Sequence, residues 1–168
     1  MYSTFIAIAI TLLTAYIVTL CVVNKEIPKS LSATVFYLPQ SGRWLWTIVI
    51  FISTFLTIMP YVDAVGDLAK PFAFIACSAM MIVGAAPLVN DKSDIVYHIH
   101  MCGAVSCAVA SQLVIVFEQP WLLVGWFPWA AAFVWITKDD KWQSAPFWAE
   151  ITCIILSYAL IFVQKLTM

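Results

Sequence analysis

Charge barely interrupts a succession of long apolar stretches in this chain, and that pattern limits its folds more than any other feature. Six stretches can be counted, at residues 2–23, 44–60, 71–89, 95–117, 121–137 and 147–164. A helix rising about 1.5 Å per residue needs roughly 20 residues to cross a hydrocarbon core about 30 Å thick, and each stretch approaches that length. Backbone exposed to lipid must satisfy its own hydrogen bonds, which leaves helices and closed barrels. The alternating segments of about 10 residues that mark an outer-membrane barrel are missing. The expectation is an all-α polytopic membrane protein, a bundle of six transmembrane helices forming a single membrane domain over residues 1–168.

Composition agrees. Of 168 residues, 64% are hydrophobic and only 10% charged, whereas a soluble domain carries about 25% charge to solvate its surface. Eight Lys and Arg against nine Asp and Glu give a net charge of −1. With no basic run, nothing offers the electrostatic footprint of a nucleic-acid partner. The first stretch lacks a basic leading region and a small-residue cleavage site, so it reads as a retained helix rather than a signal peptide. Cys21, Cys77, Cys102, Cys107 and Cys153 all fall inside apolar stretches without CxxC or zinc spacing, which suits packing better than metal binding. No metal and no cofactor are expected.

Orientation follows from the basic residues of the short loops. Lys25, Lys29, Arg43, Lys92, Lys138 and Lys141 fall on one side, and only Lys70 and Lys165 on the other. This distribution places both termini outside a bacterial cytoplasmic membrane. The aromatic anchors Trp44, Trp46, Tyr97, Trp142 and Trp148 flank the expected cytoplasmic ends, with Tyr2, Tyr61 and Trp121 at the other. The longest connection, residues 24–43, is too polar to span and too apolar for a free linker, so it is expected to lie on the helix ends.

Polar residues at membrane depth are costly and are functional candidates for that reason. On a wheel of about 100° per residue, His100 shares a face with Gly103, Ala104, Cys107 and Ser111, a small-residue stripe that lets helices approach closely. His98 points the opposite way, beside Asp94, four residues earlier and able to pair with it. Glu150, Cys153, Ser157 and Gln164 form a second polar seam, and Thr47, Thr54, Thr57 and Tyr61 a third. The even-numbered helices all have an end at the cytoplasmic face. Arg43, His100 and Glu150, with Ser30 and Ser32 from the long loop, are therefore expected to converge there as a ligand-binding pocket, with Asp94 and His98 as secondary candidates. The bland alternative is packing glue and a register-fixing Glu150–Arg43 pair.

Ser30-Leu31-Ser32-Ala33 with Tyr37, and Arg43 leading into the second helix, resembles a segment that recurs in bacterial multi-pass proteins of unknown function. Tyr61, Pro87, His100-x-x-x-Ala104, Phe147-Trp148-x-Glu150 and Lys165 belong to the same resemblance, which runs over residues 28–165. Such proteins are distantly similar to the CREST superfamily of membrane hydrolases and receptors, which includes alkaline ceramidases. That superfamily uses a Ser, an Asp and three His around zinc. Two histidines in the whole chain and no HxxxH mean that its zinc site does not carry over.

These observations lead to a protein that binds or senses a lipid or small amphiphile in a cytoplasm-facing polar pocket, with membrane lipids as partners. Whether it is also an enzyme stays open. A lipid-modifying hydrolase is one alternative, and a structural subunit of a membrane complex or homo-oligomer is the other. Single-cysteine variants at Lys29, Lys92 and Lys141, each in a cysteine-free background, should resist an impermeant maleimide in intact cells and react after permeabilisation. Labelling of two or more of them in intact cells would invert the orientation.

Overall fold

A computed structural model describes residues 2–85, 94–138 and 142–167, with the side chains of Asp94, residues 135–138, Trp142 and Thr167 left out. The described residues form six α-helices joined by turns and short 3-10 segments: α1 Tyr2–Asn24, α2 Trp44–Asp63, α3 Lys70–Ala85, α4 Asp94–Glu118, α5 Trp126–Lys138 and α6 Ala145–Thr167. Four regions, Tyr2–Asn24, Gln40–Asp63, Ile95–Glu118 and Ala145–Leu166, are long and apolar enough to cross a membrane. The apolar helices Lys70–Ala85 and Pro120–Val134 are shorter. Pro87 and Lys92 lie outside the described residues, as do Asp139, Asp140 and Lys141.

Local chemistry sets most of the boundaries. At the end of α1 the Asn24 amide turns back to the Leu20 carbonyl at 2.8 Å, and Lys25 takes a left-handed φ of 56°, the conformation that stops a helix at its C-terminal cap. Pro71 and Pro146 sit in the first turns of α3 and α6, where a missing N–H breaks no intrahelical bond. The expected fifth stretch began at residue 121. The structure instead forms a 3-10 turn over Pro120–Gly125 and starts α5 at Trp126. Pro128 therefore stands in the first turn of α5, so the kink that a mid-helix proline would impose is not required.

Neighbours in sequence are neighbours in space: α1 packs on α2, α2 on α3 and α3 on α4, and α6 returns against both α4 and α5. Two apolar cores stack along the bundle. One joins Ile6 near the start of α1 to Tyr61 at the end of α2, Ala73 of α3, Val114 and Ile115 of α4 and Leu160 of α6. The other joins Leu13, Tyr16, Trp46, Ile50, Val83 and Phe147. In this arrangement α2, α4 and α6 run one way while α1 and α3 run the other, and both chain ends meet at one pole. There the Tyr2 hydroxyl donates to Asp63 at 2.6 Å, Lys165 stands over the Tyr2 ring at 5.3 Å, and Glu118 accepts from Gly66 N–H at 2.8 Å and from Gln164 at 2.9 Å.

The distribution of polarity is that of a body solvated by hydrocarbon. Phe55 is 72% exposed and Phe127 71%, whereas Thr47, Ser53, Thr54 and Ser111 are all buried. Buried and half-buried hydroxyls bond across helices or back to their own: Thr47 to the Gly84 carbonyl at 2.7 Å, Thr57 to the Ser53 carbonyl at 2.7 Å, Ser157 to the Cys153 carbonyl at 2.9 Å. Glycine makes the close approaches. A Cβ at Gly84 would stand 2.7 Å from Ile50 Cγ2 of α2, and one at Gly103 would stand 3.1 Å from Ile82 Cγ2 and 3.3 Å from the Ala79 carbonyl of α3.

Gly84→Leu should therefore lower stability by about 1–3 kcal/mol, the ordinary cost of overpacking, read as an earlier thermal transition in detergent. Gly42→Ala, whose Cβ would meet nothing closer than a Pro39 side-chain carbon at 3.5 Å, should leave the transition in place.

Candidate functional site: a strapped lateral cavity

The connection from α1 to α2 lies across the helix ends as expected, and the structure shows what holds it. Its middle folds as two 3-10 turns, Ser32–Tyr37 and Gln40–Gly42. Thr34 is fully buried, its hydroxyl 2.6 Å from the Leu31 carbonyl and 3.3 Å from the Tyr16 hydroxyl of α1. The Phe147 N–H at the start of α6 donates to the Lys29 carbonyl at 3.2 Å. One turn further on, the Glu150 carboxylate accepts the Leu31 N–H. On the other flank His100 Nε2 lies 3.1 Å from Ser32 Oγ, and Ser32 Oγ lies 3.2 Å from Ser30 Oγ. Residues 29–34 are thus a strap pinned to α1, α4 and α6. Beyond it in the same connection, burial and Glu26 push the Tyr37 phenol up to about 12.

Four of the five expected pocket residues come together: Ser30, Ser32, His100 and Glu150. Arg43 does not join them. Its guanidinium stands over the Phe36 ring at 5.3 Å, its Nε is buried without a hydrogen-bond partner, and among the described residues it forms no ion pair. Glu150 instead accepts the Leu31 N–H of the strap. His100 and Glu150 do not touch each other either; they grip adjacent residues of the same strap.

The two histidines separate as the small-residue stripe requires. His100 is half-buried while His98 is exposed, its ring edge-on to Tyr97 at 5.8 Å. The proposed Asp94–His98 pair lies outside the described side chains. The described His, Cys, Asp and Glu residues form no group of three that could hold a metal ion.

Beneath the strap lies a half-open cavity of about 480 Å3, within the range of roughly 300–1,000 Å3 typical of small-molecule sites. Leu31, Ser32 and Glu150 form one end of its lining, Trp46, Met80 and Val83 its back, and Gln112, Leu113, Val116 and Trp126 the other end. Small side chains explain why the space exists. Ala104, Cys107 and Ala108 of α4 face Ala149 and Cys153 of α6, and no large side chain fills the gap between them. The Trp126 indole N–H donates to Gln112 Oε1 at 2.8 Å and ties α5 to α4 across that end. Val109 and Val116, both exposed, belong to the lining, so the mouth opens on the side of the bundle rather than at its pole. A second space of about 100 Å3 adjoins it, sharing Met80, Cys107, Cys153 and Ile154 and reaching Thr54, Thr57, Tyr61 and Tyr158.

Sequence reasoning missed this cavity and the role of Leu31. Leu31 acts through its backbone N–H, which residue type does not advertise. The available signal was the coincidence of small residues on the inner faces of α4 and α6, of which only the α4 stripe was read.

Because His100 and Glu150 hold one strap, their effects on stability should be coupled. Glu150→Ala should cost about 1–3 kcal/mol, since it leaves the part-buried Leu31 N–H unpaired, and His100→Ala should cost less, because Ser32 keeps Ser30 as a partner. The double variant should lose clearly less than the sum in a detergent melt, as expected of residues that bond to adjacent positions of one segment. Additive losses would show that the two contacts are independent. No protein-family model, curated protein or solved structure matches the chain, so its site is read from its own geometry.

Proposed function

We propose that the chain is a six-span integral membrane protein of a bacterial cytoplasmic membrane that binds a lipid or other single-chain amphiphile in the cavity beneath the strap. The lateral cavity carries this reading. Its wall is almost wholly hydrocarbon, its mouth lies beside the exposed apolar faces of α4, and its one ionisable group among the described lining residues, Glu150, sits at the strap, while Gln112 at the other end is bonded to Trp126. A molecule with one long apolar chain and one polar end has the same distribution. For the span count, the 3-10 turn Pro120–Gly125 and α5 together run to Lys138, long enough for a fifth crossing with modest local thinning. The bias of Lys and Arg puts the strap and the polar end of the cavity at the cytoplasmic face.

Binding rather than catalysis is the favoured activity. A hydrolase would need a nucleophile or activated water held between an acid and a base. Glu150 is instead engaged with the Leu31 amide, and among the described residues no carboxylate orients the imidazole of the His100–Ser32 contact.

In phosphatidylcholine vesicles, a photoactivatable long-chain alcohol should label peptides of α4 and α6 that line the cavity, and unlabelled alcohol should compete it away. Ala108→Trp, which fills the cavity, should remove most of that saturable labelling. Labelling that never saturates, spread over the outer faces of all helices, would overturn the reading.

A further inference from the structure

The cavity also carries information about the headgroup of its occupant. Among the described lining residues Glu150 is the one ionisable carboxyl, and no Lys, Arg or His side chain belongs to the wall. Among the described cations, Arg43, Lys29 and Lys165 are directed elsewhere. Arg43 stands over Phe36. Lys29 is exposed on the outer side of the strap. Lys165 lies at the opposite pole against Tyr2. His100 is spent on Ser32, on the far side of the strap from Glu150.

An anionic headgroup brought under the strap would therefore meet a carboxyl and, among the described lining residues, no compensating charge, which is costly in a poorly solvated site. An ammonium would meet the opposite situation. It supplies donors to the carboxyl oxygen not engaged by Leu31 and compensates its charge. Its chain would run along α4 from Ala104 toward Val116, 12 residues or about 18 Å of helix, past Leu113 and the Trp126 ring.

We infer that the cavity, if it is an amphiphile site as proposed above, selects long-chain amines over long-chain carboxylates, with Glu150 as the headgroup-recognising residue. The selection is by charge and not by chain, because the rest of the wall offers hydrocarbon to any occupant alike.

Competition against the photoactivatable alcohol in phosphatidylcholine vesicles tests this, using tetradecylamine, tetradecanol and tetradecanoate, each corrected for partition into protein-free vesicles. The amine should displace the label at a concentration about tenfold below that of the carboxylate, corresponding to about 1.4 kcal/mol, with the alcohol between them. Glu150→Gln should bring amine and carboxylate to within about twofold of each other. The comparison within the wild-type protein stands even if that variant does not fold. Equal displacement by amine and carboxylate, or preference for the carboxylate, would overturn the inference while leaving the amphiphile site intact. Absence of any saturable labelling would instead remove the site itself.

Discussion

The hydrogen bond from the Leu31 N–H to the Glu150 carboxylate organises the part of the molecule that can do chemistry. A carboxylate on a membrane helix has few ways to be satisfied, and a backbone amide on a connecting segment has few partners when it lies against helix ends. Each solves the other's problem. The bond fixes residues 29–34 over the ends of α4 and α6, which in turn positions Ser32 against His100 and closes one end of the cavity with Leu31. The buried Leu31, Thr34 and Val35 and the Phe147–Lys29 backbone bond hold the same segment down beside it.

The cavity arises from a conflict between two packing demands. Membrane helices associate through small residues, since burial of apolar surface gives them no advantage over lipid. On α3 and α4 that device works fully: Gly103 lets the helices touch, and a single added carbon would crowd Ile82 and the Ala79 backbone. On α4 and α6 small residues also face each other, with the strap over one end of the gap and the Trp126–Gln112 bond tying α5 to α4 at the other. A space of about 480 Å3 remains between them. The inner hydroxyls do not fill it with polarity, because most are already bonded to helix carbonyls, so the wall stays largely hydrocarbon, with the ionisable Glu150 at the strap and Gln112 bonded to Trp126 at the other end.

Much of the architecture was legible in the chain itself. The four longest helices have boundaries within a few residues of their apolar stretches, because the cost of placing charge or unsatisfied backbone in hydrocarbon is large and local. The inward face of α4 could be read from Gly103, Ala104, Cys107 and Ser111, and it correctly ranked His100 as less exposed than His98. The grouping of Ser30, Ser32, His100 and Glu150 at one pole followed from helix direction alone. The start of α5 was misplaced because 3-10 and α turns carry similar apolar patterns, and only the position of Pro128 relative to the helix start decides between them.

What tertiary structure alone decided is how those polar groups are used. Arg43 was the natural partner for Glu150 by charge, yet a backbone amide took that place, since residue type says nothing about where a main-chain N–H points once a loop folds over. The separation of His100 from Glu150 likewise depends on the strap passing between them. The cavity depends on side chains that fail to meet, and a void is a property of several helices at once that no single stretch of sequence encodes. The sequence determined that the chain is helical, apolar on the outside and polar at chosen depths, because those are one-dimensional consequences of the solvent. Which polar group meets which, and where space is left, depended on packing in three dimensions.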